Sequence, residues 1–277
     1  MHQKNPNVVK QALGIDFQPF QAWRYSPKQV ELSQVIAPPY DVISSAEQDA
    51  LYTQSPFNVI RLILGKESNF YDHARQCWEE WTQRGILVQD ERPAIYLYEQ
   101  VFHHPLDSHP MRRMAMVGRL NLNRSDFVLR HEATFEGPKK DRLLLLEKTQ
   151  TNLSPIFCLY QDSRKQLTGL FSSYRNNPPL FQTTDGEGVL HQGWAVEKEE
   201  EQKVIRQVLQ DQKIFIADGH HRFETVVEYR RRMRERFPDA QGENPYDFVM
   251  MALVECQDEG LLVLPTHRIL PSLKTCS

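Results

Sequence analysis

Asp218, Gly219, His220, His221 and Arg222 follow one another directly, behind the apolar residues 214–217 and ahead of a long charged helical pattern. These residue types suit an anion. The first N–H groups of a helix lack partners and its N-terminal dipole is positive, so a phosphate is favoured there. An arginine fork adds charge-assisted donors, and two imidazoles add more. Asp218 can cap the helix through its carboxylate, and Gly219 lets the backbone turn sharply and approach a ligand. Two other readings stay open. One is a well-capped helix whose histidines pack or face water. The other is metal ligation, although neighbouring side chains on a helix diverge by about 100° and seldom hold one ion together.

Other polar residues sit where chemistry is expected. In IAPPYDVIS the proline pair fixes the path of Tyr40 and Asp41. Tyr40 could stack on a base and Asp41 could accept a substrate proton or bind magnesium; the alternative is a structural turn with Asp41 in water. His131 and Glu132, with Lys139, Lys140, Asp141 and Arg142 near a helix start, form either a solvated entrance or a phosphate clamp. Thr266, His267 and Arg268 interrupt an apolar strand end, where polar groups often face a crevice. His103, His104 and His109 flank a proline-rich hairpin tip and are expected in solvent. Arg230, Arg231, Arg232, Arg234 and Arg236 are interleaved with Glu224, Glu228 and Glu235, so their charge is largely compensated within one helix and a nucleic-acid face is not expected.

Alternating strands and helices must position these groups. FNVIRLILG reads as a buried strand. A helix is expected over 69–84, with Tyr71, Ala74, Trp78 and Trp81 on one stripe and Gly85 as its stop. Ser26-Pro27 opens a short helix, and Ser44 with Glu47 has capping-box spacing for another. IYLYEQVF and RRMAMVGRLNL form a hairpin, a leucine-rich helix opens at Gly137-Pro138, and SPIFCLYQD is a strand. VEKEEEQKVIRQVLQ is a helix with Val204, Ile205, Val208 and Leu209 inward. The strand at 214–217 then feeds a helix carrying Phe223, Val226, Val227, Met233 and Phe237 at helical spacing. DFVMMALVEC and GLLVLPTHRIL form a last hairpin. The expected fold is α/β or α+β, with mixed sheets, flanking helices and a phosphate loop between a strand and a helix. It divides into a flexible arm (1–15), an N-terminal α/β region (16–172), a turn-rich loop or linker (173–194) and a final region (195–277). PSLKTCS stops just after an apolar strand with no covering helix, so a truncated C-terminus is expected.

Composition excludes several classes. The 277 residues are 40% hydrophobic and 25% charged, ordinary for a globular chain, and 33 basic against 36 acidic residues leave no global nucleic-acid footprint. The four cysteines form no CxxC pair, which fits reduced thiols in a cytoplasm. No run approaches the roughly 20 apolar residues needed to span a bilayer, so membrane association is not expected.

IAPPYDVIS, SPFNVIRLILGK, HEATFEGPKKDRLLLLEKTQTNLSPIF, FIADGHHRFET and LLVLPTHRIL, in this order over nearly the whole chain, resemble the signature blocks of the bacterial and archaeal domain-of-unknown-function family 1015 (DUF1015). Members of that family usually continue beyond this chain's end. The DGHHR block is also similar to the phosphate-binding box of the ParB and sulfiredoxin superfamily, whose ParB-like serine kinases carry a closely related box. That resemblance implies a nucleotide phosphate at Gly219, His220, His221 and Arg222, with Asp218 catalytic or holding magnesium, and a ParB/sulfiredoxin-like final region. The expectation is phosphoryl transfer from ATP or ADP, with Mg2+, to a small hydroxylated, serine-like metabolite. Asp218 or Asp41 would orient the magnesium or the acceptor, and Arg222 would stabilise developing charge. The alternative is a non-catalytic nucleotide-binding regulatory module.

Overall fold

Near-continuous apolar runs such as IFCLY (156–160) and FVMMALVE (248–255) make the middle of the sheet, because alternate side chains of a strand point to opposite faces and both faces are covered here. A computed structural model describes residues 14–132 and 136–263. The elements in order are β1 (Phe17–Gln18), β2 (Trp23–Tyr25), α1 (Leu32–Val35), α2 (Ser45–Gln54), α3 (Ile60–Ile63), α4 (Phe70–Gln83), β3 (Leu87–Gln89), β4 (Ile95–His103), β5 (Pro110–Asn121) and β6 (Val128–Leu129). They continue with α5 (Glu136–Thr149), β7 (Ile156–Tyr160), α6 (Thr168–Arg175), β8 (Phe181–Thr184), β9 (Leu190–Val196), α7 (Glu199–Leu209), β10 (Ile214–Asp218), α8 (His220–Arg236) and β11 (Phe248–Glu255).

Among the described residues a nine-stranded mixed sheet runs β6-β10-β7-β11-β5-β4-β9-β8, with β1 also paired to β5, and β2 and β3 form a small second sheet. β10 with β6 and β11 with β7 are parallel; the other pairings are antiparallel. The mixed α/β expectation therefore holds. Leu97, Met116, Ile156, Cys158, Met251, Leu253 and Ile216 line one face and pack with Ile205, Leu209, Phe223 and Val226 from α7 and α8. The other face carries a smaller cluster around Ala115, Ala252 and Val254, with Tyr98, Val117 and Phe157 packed against it. A separate core gathers Leu62, Cys77, Trp81, Ile86 and Leu87 between α3, α4 and β3.

Local signals hold well. Ser44 and Glu47 form the capping box of α2, and Gly85 follows α4 at φ +69°. Several expectations fail. FNVIRLILG is not a strand: residues 60–63 are helical, because buried Asn58 accepts the Ile60 N–H and donates to the Gln34 and Ile36 carbonyls, starting a turn. Ser26-Pro27 leads into a turn, and α1 begins only at Leu32. Val204 is 41% exposed, because Gln202 takes the inward position and donates to the Pro93 and Val196 carbonyls. On α8, Val227 and Phe237 also lie outside the buried stripe. The turn-rich stretch 173–194 holds the end of α6, β8 and part of β9. Residues 260–263 form no strand, and the rest of the last predicted hairpin and nearly all of the N-terminal arm lie outside the described residues.

Gly193 of β9 stands between Phe181 on β8 and Tyr98 on β4. A Cβ there would lie 2.2 Å from the Phe181 ring. Gly193→Ala is expected to destabilise the protein by about 2 kcal/mol, the usual order for overpacking. Urea unfolding checks this, and adding Phe181→Ala should remove most of the penalty.

Candidate functional site

A cavity of about 1190 Å³ opens over the sheet face that carries Tyr98, Val117, Phe157 and Ala252. It exceeds the roughly 300–1,000 Å³ of ordinary ligand pockets. α1 packs against β8 at one sheet edge, and residues 36–40 then line the cavity and lead to the α5 end. The prolines of this strap, Pro38 and Pro39, are part of the wall, as are Glu47 and Leu51 of α2, Arg142 and Leu145 of α5, and Ser154 and Pro155 ahead of β7.

At one end stands the strand-turn-helix of the DGHHR stretch. Gly219 occupies the helix N-cap with φ +92°, a conformation that costs other residues more. Arg222 folds back across this turn: its guanidinium lies about where a Gly219 Cβ would make contacts of 3.0 to 3.1 Å. It donates to Asp218 Oδ2 at 2.5 Å, the Pro155 carbonyl at 2.6 Å and Ser154 Oγ at 3.0 Å. The Arg222 side chain is 18% exposed and that of Asp218 59%, and both line the cavity. Gly219, His220 and His221 do not.

His220 is a core residue, 3% exposed, with its ring edge-on to His131 at 4.5 Å and Nδ1 at 3.4 Å from Glu132. Burial lowers its pKa, against a smaller opposing pull from Glu132. The unfolded chain therefore takes up this proton first as pH falls. Stability is expected to decline as pH drops below the ordinary histidine value of about 6.5 toward the lower folded value. Denaturation midpoints from pH 7 to 5 for wild type and His220→Gln check this; the variant should show the shallower loss.

The predicted residues therefore divide. Tyr40 joins Asp218 and Arg222 in the cavity wall, with the Arg142 guanidinium 4.1 Å above its ring. Burial raises the Tyr40 hydroxyl pKa, and Arg142 and Arg222 partly offset this. Arg142 is itself buried and donates to the Ile63 carbonyl. Asp41 is exposed in a turn and is not part of the wall. His131 and Lys139 belong to the supports of α8: His131 packs on His220, and Lys139 pairs with Glu224 at 3.1 Å. His267 and Arg268, with Thr266, lie outside the described residues. His104 and His109 stack at 4.9 Å and share Asp107 at an exposed hairpin tip. Two of the α8 arginines are paired as their spacing predicts, Arg232 with Glu228 and Arg231 with Glu235, while Arg230 and Arg234 pair with Asp247 outside the helix.

Three wall residues escaped the sequence reading. Tyr98 Oη lies 2.5 Å from His191 Nδ1, and His191 Nε2 lies 3.0 Å from Asp185 Oδ2. The Glu187 and Val189 amides donate to the other Asp185 oxygen, Oδ1, at 3.0 and 2.9 Å. The Asp-Gly turn at 185–186 was the only local signal. The β4–β9 pairing brings His191 to Tyr98, 93 residues away, and the turn between β8 and β9 adds Asp185.

The fold and site define a mixed α/β protein with one large polar-ended cavity over a sheet face. The family described as "Protein of unknown function (DUF1015)" matches residues 17–277, and the chain belongs to it. No curated protein and no solved structure matches the chain. No helix among the described residues is long and apolar enough to cross a membrane.

Proposed function

We propose that this chain binds ATP or ADP with magnesium and transfers phosphate to a small hydroxylated acceptor of serine-like size. One observation carries this reading: the Asp218–Arg222 ion pair lines a large cavity beside Tyr40 and Arg142. A magnesium nucleotide can exchange with that pair without leaving either partner alone. Its phosphate replaces Asp218 on the guanidinium, and the ion meets the freed carboxylate. One carboxylate plus substrate phosphates is an ordinary magnesium environment, and Asp218 is exposed enough to supply it. Arg142, itself paired with Asp141, backs the wall against Tyr40, the Tyr40 ring offers a stacking surface, and the apolar floor excludes water. Asp41, His131 and Lys139 have no direct part in this scheme, and His220 supports α8 from the core.

The ParB/sulfiredoxin-like reading of the DGHHR region rests on the strand, left-handed glycine and helix occurring in the expected order. Anion contact is assigned to the Arg222 side chain rather than to the amides of the turn. Arg230, Arg231, Arg232 and Arg234 are paired with carboxylates, which gives little reason to invoke nucleic acid. A cytoplasmic setting fits the free thiols of Cys77, Cys158 and Cys256.

Calorimetric titration of the purified chain with magnesium ADP tests binding, and radiolabelled ATP with a pool of hydroxylated metabolites tests transfer. Saturable binding weaker than about 1 mM would remove the nucleotide. Binding with unchanged ATP would favour the regulatory module, a reading supported by the internal partners that already occupy Arg222.

A further inference from the structure

We propose that Tyr98, His191 and Asp185 form the proton-transfer chain of the cavity, taking the proton of the acceptor hydroxyl as it attacks the terminal phosphorus of the nucleotide. This rests on the nucleotide reading above and adds the group that reading lacks, since there Asp218 is committed to the magnesium ion and Arg222, always protonated, cannot act as a base.

The hydrogen bonds fix the protonation pattern. Asp185 is locked by the amides of its own turn, so its remaining oxygen can only accept from His191 Nε2–H. In the neutral imidazole Nδ1 is then the acceptor, and Tyr98 Oη–H donates to it at 2.5 Å. The lone pairs of Tyr98 Oη remain for a substrate O–H. Burial pushes the Tyr98 hydroxyl up to about 12, so it does not ionise alone. Burial also pushes the Asp185 carboxyl up, but hydrogen bonds from His191, Val189 and Glu187 outweigh this and hold it below its ordinary value. Asp185 is thus an anion placed to stabilise an imidazolium.

In the step, the acceptor oxygen forms its bond to phosphorus, and the bond from phosphorus to the bridging oxygen breaks, its electron pair leaving on the shortened nucleotide, ADP from ATP or AMP from ADP. The acceptor proton passes to Tyr98 Oη as the Tyr98 proton passes to His191 Nδ1. The imidazolium later returns the proton to solvent through the same hydroxyl.

Placement limits the acceptor. The strand of Asp218 lies four ladder steps from that of Tyr98 in the order β10-β7-β11-β5-β4, or about 19 Å at the usual spacing. A triphosphate extending from Arg222 and a side chain reaching out from Tyr98 leave a gap for a small molecule over Val117 and Ala252.

The test uses the full chain with magnesium ATP, magnesium ADP and a mixture of serine, threonine and glycerol. Asp185→Asn keeps Oδ1 for the turn amides but offers N–H to His191, which forces the other tautomer and reverses the bond to Tyr98. Asp185→Asn and His191→Gln should each lower kcat about 100-fold or more, with ADP affinity within about threefold of wild type. Combining them should cost little more than either alone, as for residues acting as one unit. Far-UV circular dichroism and melting temperatures confirm folding, and Tyr98→Phe gives an independent break in the chain. Turnover within about threefold of wild type in Asp185→Asn and His191→Gln overturns the proposal, as does a large loss of ADP affinity, which would make the triad a binding element. Wild type that binds ATP but transfers phosphate neither to an acceptor nor to water also overturns it while leaving the nucleotide site standing. Wild type that binds no nucleotide removes the reading beneath it.

Discussion

Arg222→Ala is expected to weaken magnesium ADP binding about 100-fold, or about 2.7 kcal/mol. A hydrogen bond to a charged group contributes about 1.5–3 kcal/mol, and a guanidinium can present two to one phosphate. The side chain is 18% exposed, so solvent screens it only in part. Its loss also leaves Asp218 without its cation and turns a local charge-balanced pair into a net negative wall, which opposes an anion further. Arg222→Lys keeps the charge but not the fork and should fall between the two, about tenfold below wild type. Because Arg222 also anchors the Pro155 carbonyl and Ser154, a structural effect must be separated out. Ser154→Ala removes one anchor without touching the charge, and its ADP affinity should stay near wild type. Calorimetry on the three variants, each checked by melting temperature, decides the matter; an Arg222→Ala protein that is folded and binds ADP normally would end the phosphate assignment.

Asp247→Ala is expected to cost about 3 kcal/mol of stability. The carboxylate is fully buried and takes hydrogen bonds from Arg230 Nε at 2.8 Å, Arg234 Nη2 at 2.5 Å and the Asn244 amide at 2.8 Å. Breaking a buried ion pair typically costs about 3–5 kcal/mol, and the lower end applies because both arginines keep partial contact with water. The loss acts on α8 as a whole, since Arg230 also holds Asn123 and Arg234 holds the Ala240 and Gly242 carbonyls. These ties fix the far half of the helix whose first turn presents Arg222. Burial pushes the Asp247 carboxyl up, but its bonds from Arg230, Asn244 and Arg234 outweigh this and bring it below its ordinary value. Its contribution is therefore complete above the unfolded value of about 3.9 and disappears as pH falls through the lower folded one. Urea unfolding of wild type and Asp247→Ala at pH 7 and near pH 3 should show the difference narrowing with acid; an equal gap at both would place the stabilisation elsewhere.

Local chemistry was legible wherever a few adjacent residues settle the backbone. The capping box at Ser44, the stop at Gly85 and the strand, glycine and helix around Gly219 follow from dihedral preference and nearest-neighbour hydrogen bonds. The β4–β5 hairpin and the paired charges of α8 follow from period and spacing in the same way. FNVIRLILG misled because a short apolar run fits a strand and a helix equally, and buried Asn58, bonded to carbonyls more than 20 residues away, decided between them.

By itself, then, the sequence determined most of the longer helices, the β4–β5 hairpin and the charged character of the DGHHR junction, since each depends on contacts within a few residues. Tertiary structure alone decided which of those polar groups face the cavity. Packing turned His220 into a core residue and left Arg222 at the wall, and strand pairing brought His191 to Tyr98. Side-chain burial and cross-strand register depend on partners distant in the chain, and no local pattern encodes which partner arrives.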